Sequence, residues 1–252
     1  MDPPKGEDTM IFRKRSPSVP VHGRRIDRCV CCGEREFQSH RILWKQLIAE
    51  WRLSAEEVES INRQQGTSCR ACGANLRSNA LALAVVRHHG FAGTLTEWIR
   101  TPAAQSLKVL ELNGAGNLTP FLRELPGHVE TAYPETDMLA MRFADESFDL
   151  VLHSDTLEHV PDPVRGLREC RRLLRPGGAC CFTIPIVVGR LTRSRAGLRP
   201  SYHGGPGDNK RDYIVCTEYG ADAWRHVMEA GFTECRLVTA EYPAALALTA
   251  IP

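Results

Sequence analysis

The sequence predicts an α/β fold: a sheet of mainly parallel strands with helices on both faces, preceded by a small helical unit organised by cysteines. Three observations predict it. Strand-like and helical patterns alternate from about residue 101 to the end, the arrangement that builds a parallel sheet wrapped by helices. A Cys-x-x-Cys-Gly motif occurs twice ahead of that stretch. Hydrophobic residues make up 42% and charged residues 25%, close to the soluble globular average.

The 252 residues suffice for one ordinary domain plus a small module. A net charge of +2 argues against a protein that coats nucleic acid. No apolar run reaches the ~18–20 residues of a membrane span, and the N-terminus has no apolar signal-like core, so a cytoplasmic protein is expected. In that compartment the ten cysteines read as metal ligands or buried hydrophobes rather than disulfides. Cys29, Cys31, Cys32, Cys69 and Cys72 cluster early, whereas Cys170, Cys180, Cys181, Cys216 and Cys235 lie among apolar neighbours and read as small core residues.

Residues 1–25 are rich in Pro, Ser and basic side chains without an apolar period, and read as a flexible arm. Residues 26–100 form the cysteine-bearing unit. Between its motifs Ile42, Leu43, Leu47, Ile48 and Trp51 recur at helical spacing, and Ser54 with Glu57 forms a capping box for a helix over 55–62. A further helix is predicted over 76–89, closed by Gly90. Residues 101–252 form the main domain. Strands are predicted at 107–112, 128–132, 148–153 and 179–184, and a terminal hairpin near 235–238 and 245–251. Helices are predicted from the Leu118, Phe121, Leu122, Leu125 face, over 164–174 before the turn Arg175-Pro176-Gly177-Gly178, and over 221–230 before Gly231.

Cys29-x2-Cys32 and Cys69-x2-Cys72 are matched knuckles, each followed by a glycine that admits the backbone of a tight turn. Together they supply the four thiolates that structural zinc prefers, with no position left for water. Cys31 leaves the register open. Cys29 and Cys32 are preferred because they match the second pair, and His40 is a weaker substitute.

The strand ending Val109-Leu110-Glu111-Leu112 runs into Asn113-Gly114-Ala115-Gly116-Asn117, a turn through which backbone can approach a ligand closely. Farther on, Phe143-Ala-Asp-Glu-Ser-Phe-Asp-Leu-Val-Leu-His-Ser-Asp-Thr-Leu-Glu-His-Val-Pro-Asp-Pro is followed by Leu173-Leu-Arg-Pro-Gly-Gly. This series resembles class I S-adenosylmethionine-dependent methyltransferases, the type 11 group, over residues 105–251. The resemblance implies a Rossmann-like methyltransferase sheet and S-adenosylmethionine as cofactor. It places Glu111, Asn113, Gly114 and Gly116 around the methionine part of that cofactor, Asp137 and Met138 beside the adenine, and His153 and Ser154 at the sulfonium. Asn113 and Asn117 stand where glycines are usual, and the acid for the ribose is either Glu130 or Glu135. In one subgroup the motif Phe182-Thr-Ile-Pro185 is followed by Tyr202-His203-Gly204, an arrangement met in sugar, glycan and secondary-metabolite pathways, so the expected partner is a small, sugar-like hydroxyl acceptor.

Methyl transfer to a hydroxyl needs a base, and His159, Asp155 and His203 are the candidates near strand ends. The glycine-rich 202–207 segment reads as a lid or a plain surface loop. Two alternatives stay open. An RNA methyltransferase with a zinc module is disfavoured by near-neutral charge and by His153-Ser-Asp-Thr where many base-methylating enzymes carry Asn/Asp-Pro-Pro-aromatic. The other is a binding protein on a decayed methyltransferase fold.

Overall fold

A computed structural model describes residues 25–202 and 211–252. The chain begins with β1 (Phe37–Ser39), α1 (Lys45–Glu50), α2 (Ala55–Gly66) and β2 (Thr67–Cys69). Strands β1 and β2 pair antiparallel, Phe37 opposite Cys69. Both halves of the predicted capping box form on α2: Glu57 N–H donates to Ser54 Oγ at 3.2 Å and Ser54 N–H to Glu57 Oε2 at 2.7 Å. The helix runs past residue 62 to Gly66, where a Cβ would lie 2.0 Å from the His40 carbonyl, so only glycine lets β1 and α2 approach so closely.

Next come α3 (Leu76–His88), α4 (Leu95–Ile99) and α5 (Pro102–Gln105). Asn75 caps α3 by accepting from Ser78 N–H at 2.9 Å, a contact worth about 1 kcal/mol. The main sheet follows: β3 (Val109–Leu112), α6 (Thr119–Leu122), β4 (His128–Thr131), β5 (Phe148–Ser154), α7 (Pro163–Leu173) and β6 (Leu174–Thr183). After β7 (Ile186–Val187), β8 (Arg193–Ser194) and β9 (Thr217–Gly220), which make a small sheet of their own, the chain ends with α8 (Trp224–Glu229), β10 (Glu234–Glu241) and β11 (Ala245–Ile251).

The main sheet has the order β10-β11-β6-β5-β3-β4. Strands β4, β3, β5 and β6 are parallel, while β11 runs antiparallel to β6 and pairs with β10 as the expected terminal hairpin. Alternating side chains fill two cores. Leu150 and Leu152 of β5 join α3 and α4 on one face, whereas Val151 joins α7 and α8 on the other. The first core also holds Cys29, Cys31 and Cys69, so the cysteine-bearing segment and the sheet share one apolar interior. Among the described residues no helix is long and apolar enough to cross a membrane.

Three elements differ from expectation. The predicted 118–125 helix is a single turn, α6, after a 3-10 turn over Gly116–Leu118; Pro120 sits in its first turn, and Leu118, Leu122 and Leu125 are nonetheless buried. The Arg175-Pro176-Gly177-Gly178 turn lies inside β6 as an irregularity, where pairing jumps from Phe148–Leu174 to Leu150–Ala179. The last helix starts only at Trp224 because β9 claims the chain up to Gly220.

Strand order reverses at β3: the chain crosses to β4 on one side and returns to β5 on the other. In open sheets of this kind the crevice for a ligand opens there, at the carboxyl ends of the strands.

Candidate active site and cysteine cluster

The knuckles are built alike. Gly33 N–H donates to the Cys29 carbonyl at 2.8 Å, Gly73 N–H to the Cys69 carbonyl at 3.0 Å, and both glycines have positive φ, 86° and 75°. Pairing of β1 with β2 then brings the knuckles face to face. Cys29, Cys32, Cys69 and Cys72 place their sulfurs within 4.8 Å of one another, Cys29–Cys72 at 3.7 Å and Cys32–Cys69 at 3.6 Å. Zinc–sulfur bonds of ~2.3 Å in a tetrahedron require sulfur–sulfur edges of about 3.8 Å. Cys31 lies outside the group and points its thiol at the Ser78 carbonyl, 3.9 Å away.

The second knuckle leads directly into α3, whose first residues reach the crevice. Arg77, buried, forms an ion pair with Asp155 just after β5. Ser78 Oγ accepts from Asn117 N–H at 3.1 Å in the loop after β3.

That loop is held from below by Glu111. Its carboxylate is fully buried, accepts from Ala115 N–H at 2.7 Å and from the Thr119 hydroxyl, and lies 2.8 Å from His128 Nε2. Glu111 thus shapes the loop and does not face the crevice. Asn113 lines the crevice with φ 55° and accepts from Tyr133 N–H at 2.7 Å. Gly114 has φ 84°, and a Cβ there would meet nothing within 4 Å, so ligand atoms have room against its backbone. Gly116 instead packs on α3: a Cβ would lie 2.8 Å from Ser78 Oγ.

After β4, Asp137, Met138 and Leu139 line the crevice, and Asp137 Oδ1 accepts from Leu139 N–H at 2.8 Å. Glu130 is bound by Arg123 on the sheet edge at 2.8 and 3.0 Å, Glu135 is exposed, and neither lines the crevice.

After β5 the predicted residues separate. His153 is fully buried, stacks on Phe182 at 4.7 Å and faces Cys170 and Cys180 in the second core, with neither ring nitrogen hydrogen-bonded. Burial lowers its pKa to about 3, so it stays neutral. Ser154 Oγ pairs with Thr183 Oγ1 at 2.7 Å. Asp155, Glu158 and His159 all line the crevice. Burial pushes Asp155 up against the opposing pull of Arg77 and His159. Glu158, 2% exposed with neither oxygen hydrogen-bonded, is raised well above the carboxylate range by burial and by Asp155. His159 Nδ1 lies 2.9 Å from the Ile214 carbonyl, which can only accept, so the proton sits on Nδ1 and Nε2 carries the lone pair. Burial lowers its pKa and keeps the ring neutral. His203, the third expected base, lies outside the described residues, as do residues 1–24 of the expected arm.

The crevice is a cleft of about 790 Å³, within the ~300–1,000 Å³ of small-molecule sites. Its far wall comes from the N-terminal segment: Leu43, Trp44, Leu47, Leu53 and Ile61 face the strand ends. Arg190 fastens that wall, gripping Glu57 at 2.6 and 2.7 Å and donating to the Trp51 and Arg52 carbonyls at 2.9 and 3.0 Å, while Trp51 Nε1 donates to Ser201 Oγ at 2.9 Å.

Residues 90–182 match the family described as a methyltransferase domain. The sheet has the Rossmann-like methyltransferase fold. The match takes in β3 through β6 and excludes the cysteines of the knuckles, α3 and the terminal hairpin. The chain is 48% identical over 53 residues to the ubiquinone biosynthesis O-methyltransferase of Cereibacter sphaeroides, covering 21% of this chain and 22% of that one. With the protein of the same name from Paracidovorax citrulli it shares 36% over 81 residues, 32% and 31% of the two chains. The chain thus spans less than a third of the length of either relative. A solved SAM-dependent methyltransferase from Aquifex aeolicus superposes with a TM-score of 0.36 at 14% identity, over 57% of this chain and 80% of that one.

Sequence reasoning missed Arg77 and the wall. Arg77 is a charged residue in a helix whose neighbours Leu76, Ala80 and Leu81 are wholly buried, and that break in the apolar pattern was the available signal.

Proposed function

We propose that the protein transfers a methyl group from S-adenosylmethionine to the hydroxyl of a small acceptor. The observation that carries this is the cleft at the strand-order reversal, where the post-β3 loop, Asp137 and His159 converge. When bound, the cofactor supplies a methyl group made electrophilic by its sulfonium. The loop fits it: Gly114 leaves space against its backbone, and Asn113 and Asp137 offer polar atoms at the cleft surface. Glu111 keeps the loop in shape from beneath. His159 Nε2 would take the hydroxyl proton as the acceptor oxygen bonds the methyl carbon and the carbon–sulfur bond breaks to release S-adenosylhomocysteine, and Arg77 holds Asp155 at the lip of the same site. Four thiolates at tetrahedral spacing support a structural zinc on Cys29, Cys32, Cys69 and Cys72. Calorimetry with S-adenosylmethionine tests the reading, and no binding at millimolar cofactor refutes it.

A further inference from the structure

The acceptor half of the cleft carries a chemical preference of its own. This inference rests on the methyl-transfer reading and deepens it: we propose that the acceptor is an uncharged molecule with an apolar body, such as an alkyl-substituted phenol, and not a sugar, a phosphorylated compound or a nucleic acid.

The wall decides the body. Leu43, Leu47, Leu53 and Ile61 stand on one side, and Ile186 and Ile214 also line the cleft. A sugar seated there would bury hydroxyls against groups that cannot bond them, at roughly 1–3 kcal/mol for each one left unpaired. An apolar body gains free energy from the same surface. The wall is also held in place: Leu43, Trp44, Leu47 and Leu53 pack with Trp51 and Val215 in one small cluster. The Arg190–Glu57 grip and the Trp51–Ser201 bond tie it to the loops on either side of β8, and Arg63 pairs with the buried Glu241 of β10. It is therefore preorganised to receive a ligand.

Charge decides what is excluded. Asp137, Asp155 and Asp212 line the cleft, beside the buried Glu158. Among the described lining residues the one cation is Arg77, already committed to Asp155. A phosphate would meet Asp137 and Asp212 with no guanidinium or ammonium among the described lining residues left to receive it. Asn113, Asp137, Asp155, Thr156 and His159 follow strand ends on the side of the post-β3 loop, so a hydroxyl at one end of an apolar molecule would meet His159 while the body lies along the wall.

The test uses the whole chain and three probes: 4-hexylresorcinol, methyl α-rhamnoside and dTDP-rhamnose. Calorimetry follows each with and without S-adenosylhomocysteine, and release of S-adenosylhomocysteine from S-adenosylmethionine follows turnover. Hexylresorcinol is expected to bind at least tenfold more tightly than either sugar. Leu43→Glu and Ile61→Asn, each half-buried in the wall, should weaken it about tenfold and leave S-adenosylhomocysteine affinity within twofold, which also shows that the variants fold. Equal or tighter binding of either sugar, no binding of hexylresorcinol, or wall variants without effect on it would overturn the proposal. Failure of S-adenosylhomocysteine to bind would instead strike the methyl-transfer reading, because hexylresorcinol binding to the chain alone still reports on the wall.

Discussion

Removing the zinc proposed for the four thiolates, by chelation or by Cys72→Ser, is expected to destabilise the whole molecule and not only its first residues. The reason lies in where the cluster sits. Cys29 and Cys69 are fully buried in the same core as Leu76 and Leu81 of α3 and Leu150 and Ala245 of the sheet. The sulfur–sulfur spacings of 3.6 and 3.7 Å leave little rearrangement for a tetrahedral ion to demand. Structural zinc sites contribute about 10–16 kcal/mol at neutral pH, as much as the ~5–15 kcal/mol that separates a folded domain from its unfolded chain. Were only about 4 kcal/mol of this transmitted to the main sheet, the melting temperature would fall by roughly 8–16 °C, at ~2–4 °C per kcal/mol for a chain of this size. Metal analysis of protein purified without chelator should find one zinc per chain. Circular dichroism melts before and after chelation should then show the shift. Trp98, 2% exposed in the shared core, should redden its fluorescence at the same temperature as the helix signal is lost. Protein without zinc, or melts that superpose, would refute the reasoning.

Three further outcomes follow from particular contacts. Arg77→Met and Asp155→Asn should each destabilise, and their double-mutant cycle should return ~1–2 kcal/mol of coupling, below the ~3–5 kcal/mol of a fully buried pair because Asp155 is 31% exposed; additivity within ~0.5 kcal/mol in denaturant titrations would remove the pair. His159→Ala should lower turnover ~100-fold or more with cofactor affinity nearly unchanged, and parallel losses in both would assign the ring a structural role. Acid should destabilise the fold through His153: its pKa falls from 6.5 to about 3 on folding, so its contribution is complete above ~6.5 and is lost as pH drops toward 3, at up to ~1.4 kcal/mol per pH unit. His153→Leu should flatten that slope between pH 6.5 and 4 in pH-dependent melts, and an unchanged slope would contradict it.

Much of the fold was legible because its causes are local. A knuckle is five residues long, and its glycine and cysteines sit beside one another in the chain. The capping box at Ser54 spans four residues, and the strands β3 and β5 are marked by the apolar runs Val109-Leu110 and Leu150-Val151-Leu152, of the kind a doubly covered sheet requires. The same holds for the loop Asn113-Gly114-Ala115-Gly116, whose positive φ angles follow from residue type. The expected parallel order and the antiparallel hairpin at the end also follow from element sequence and loop length.

What only the tertiary structure decided are the contacts between residues far apart in the chain. An apolar helix face announces that something covers it without saying what. The residues around α1 close a small cluster of their own on Val215, and packing sets that cluster across from the strand ends, tied by a bond from Trp51 to Ser201, 150 positions away. His153 and Ser154 are neighbours at the end of one strand, yet side chains alternate there, so one ring turned into the core while the adjacent hydroxyl met Thr183. Glu111 became a buried brace because His128 and Thr119 were brought to it by the neighbouring strand and helix. Local chemistry thus determined which elements form and where the glycine-bearing loop after β3 lies. Which side chains look into the cleft was settled by how the sheet, α3 and the N-terminal wall pack, since burial and charge pairing depend on surroundings that no stretch of sequence contains by itself.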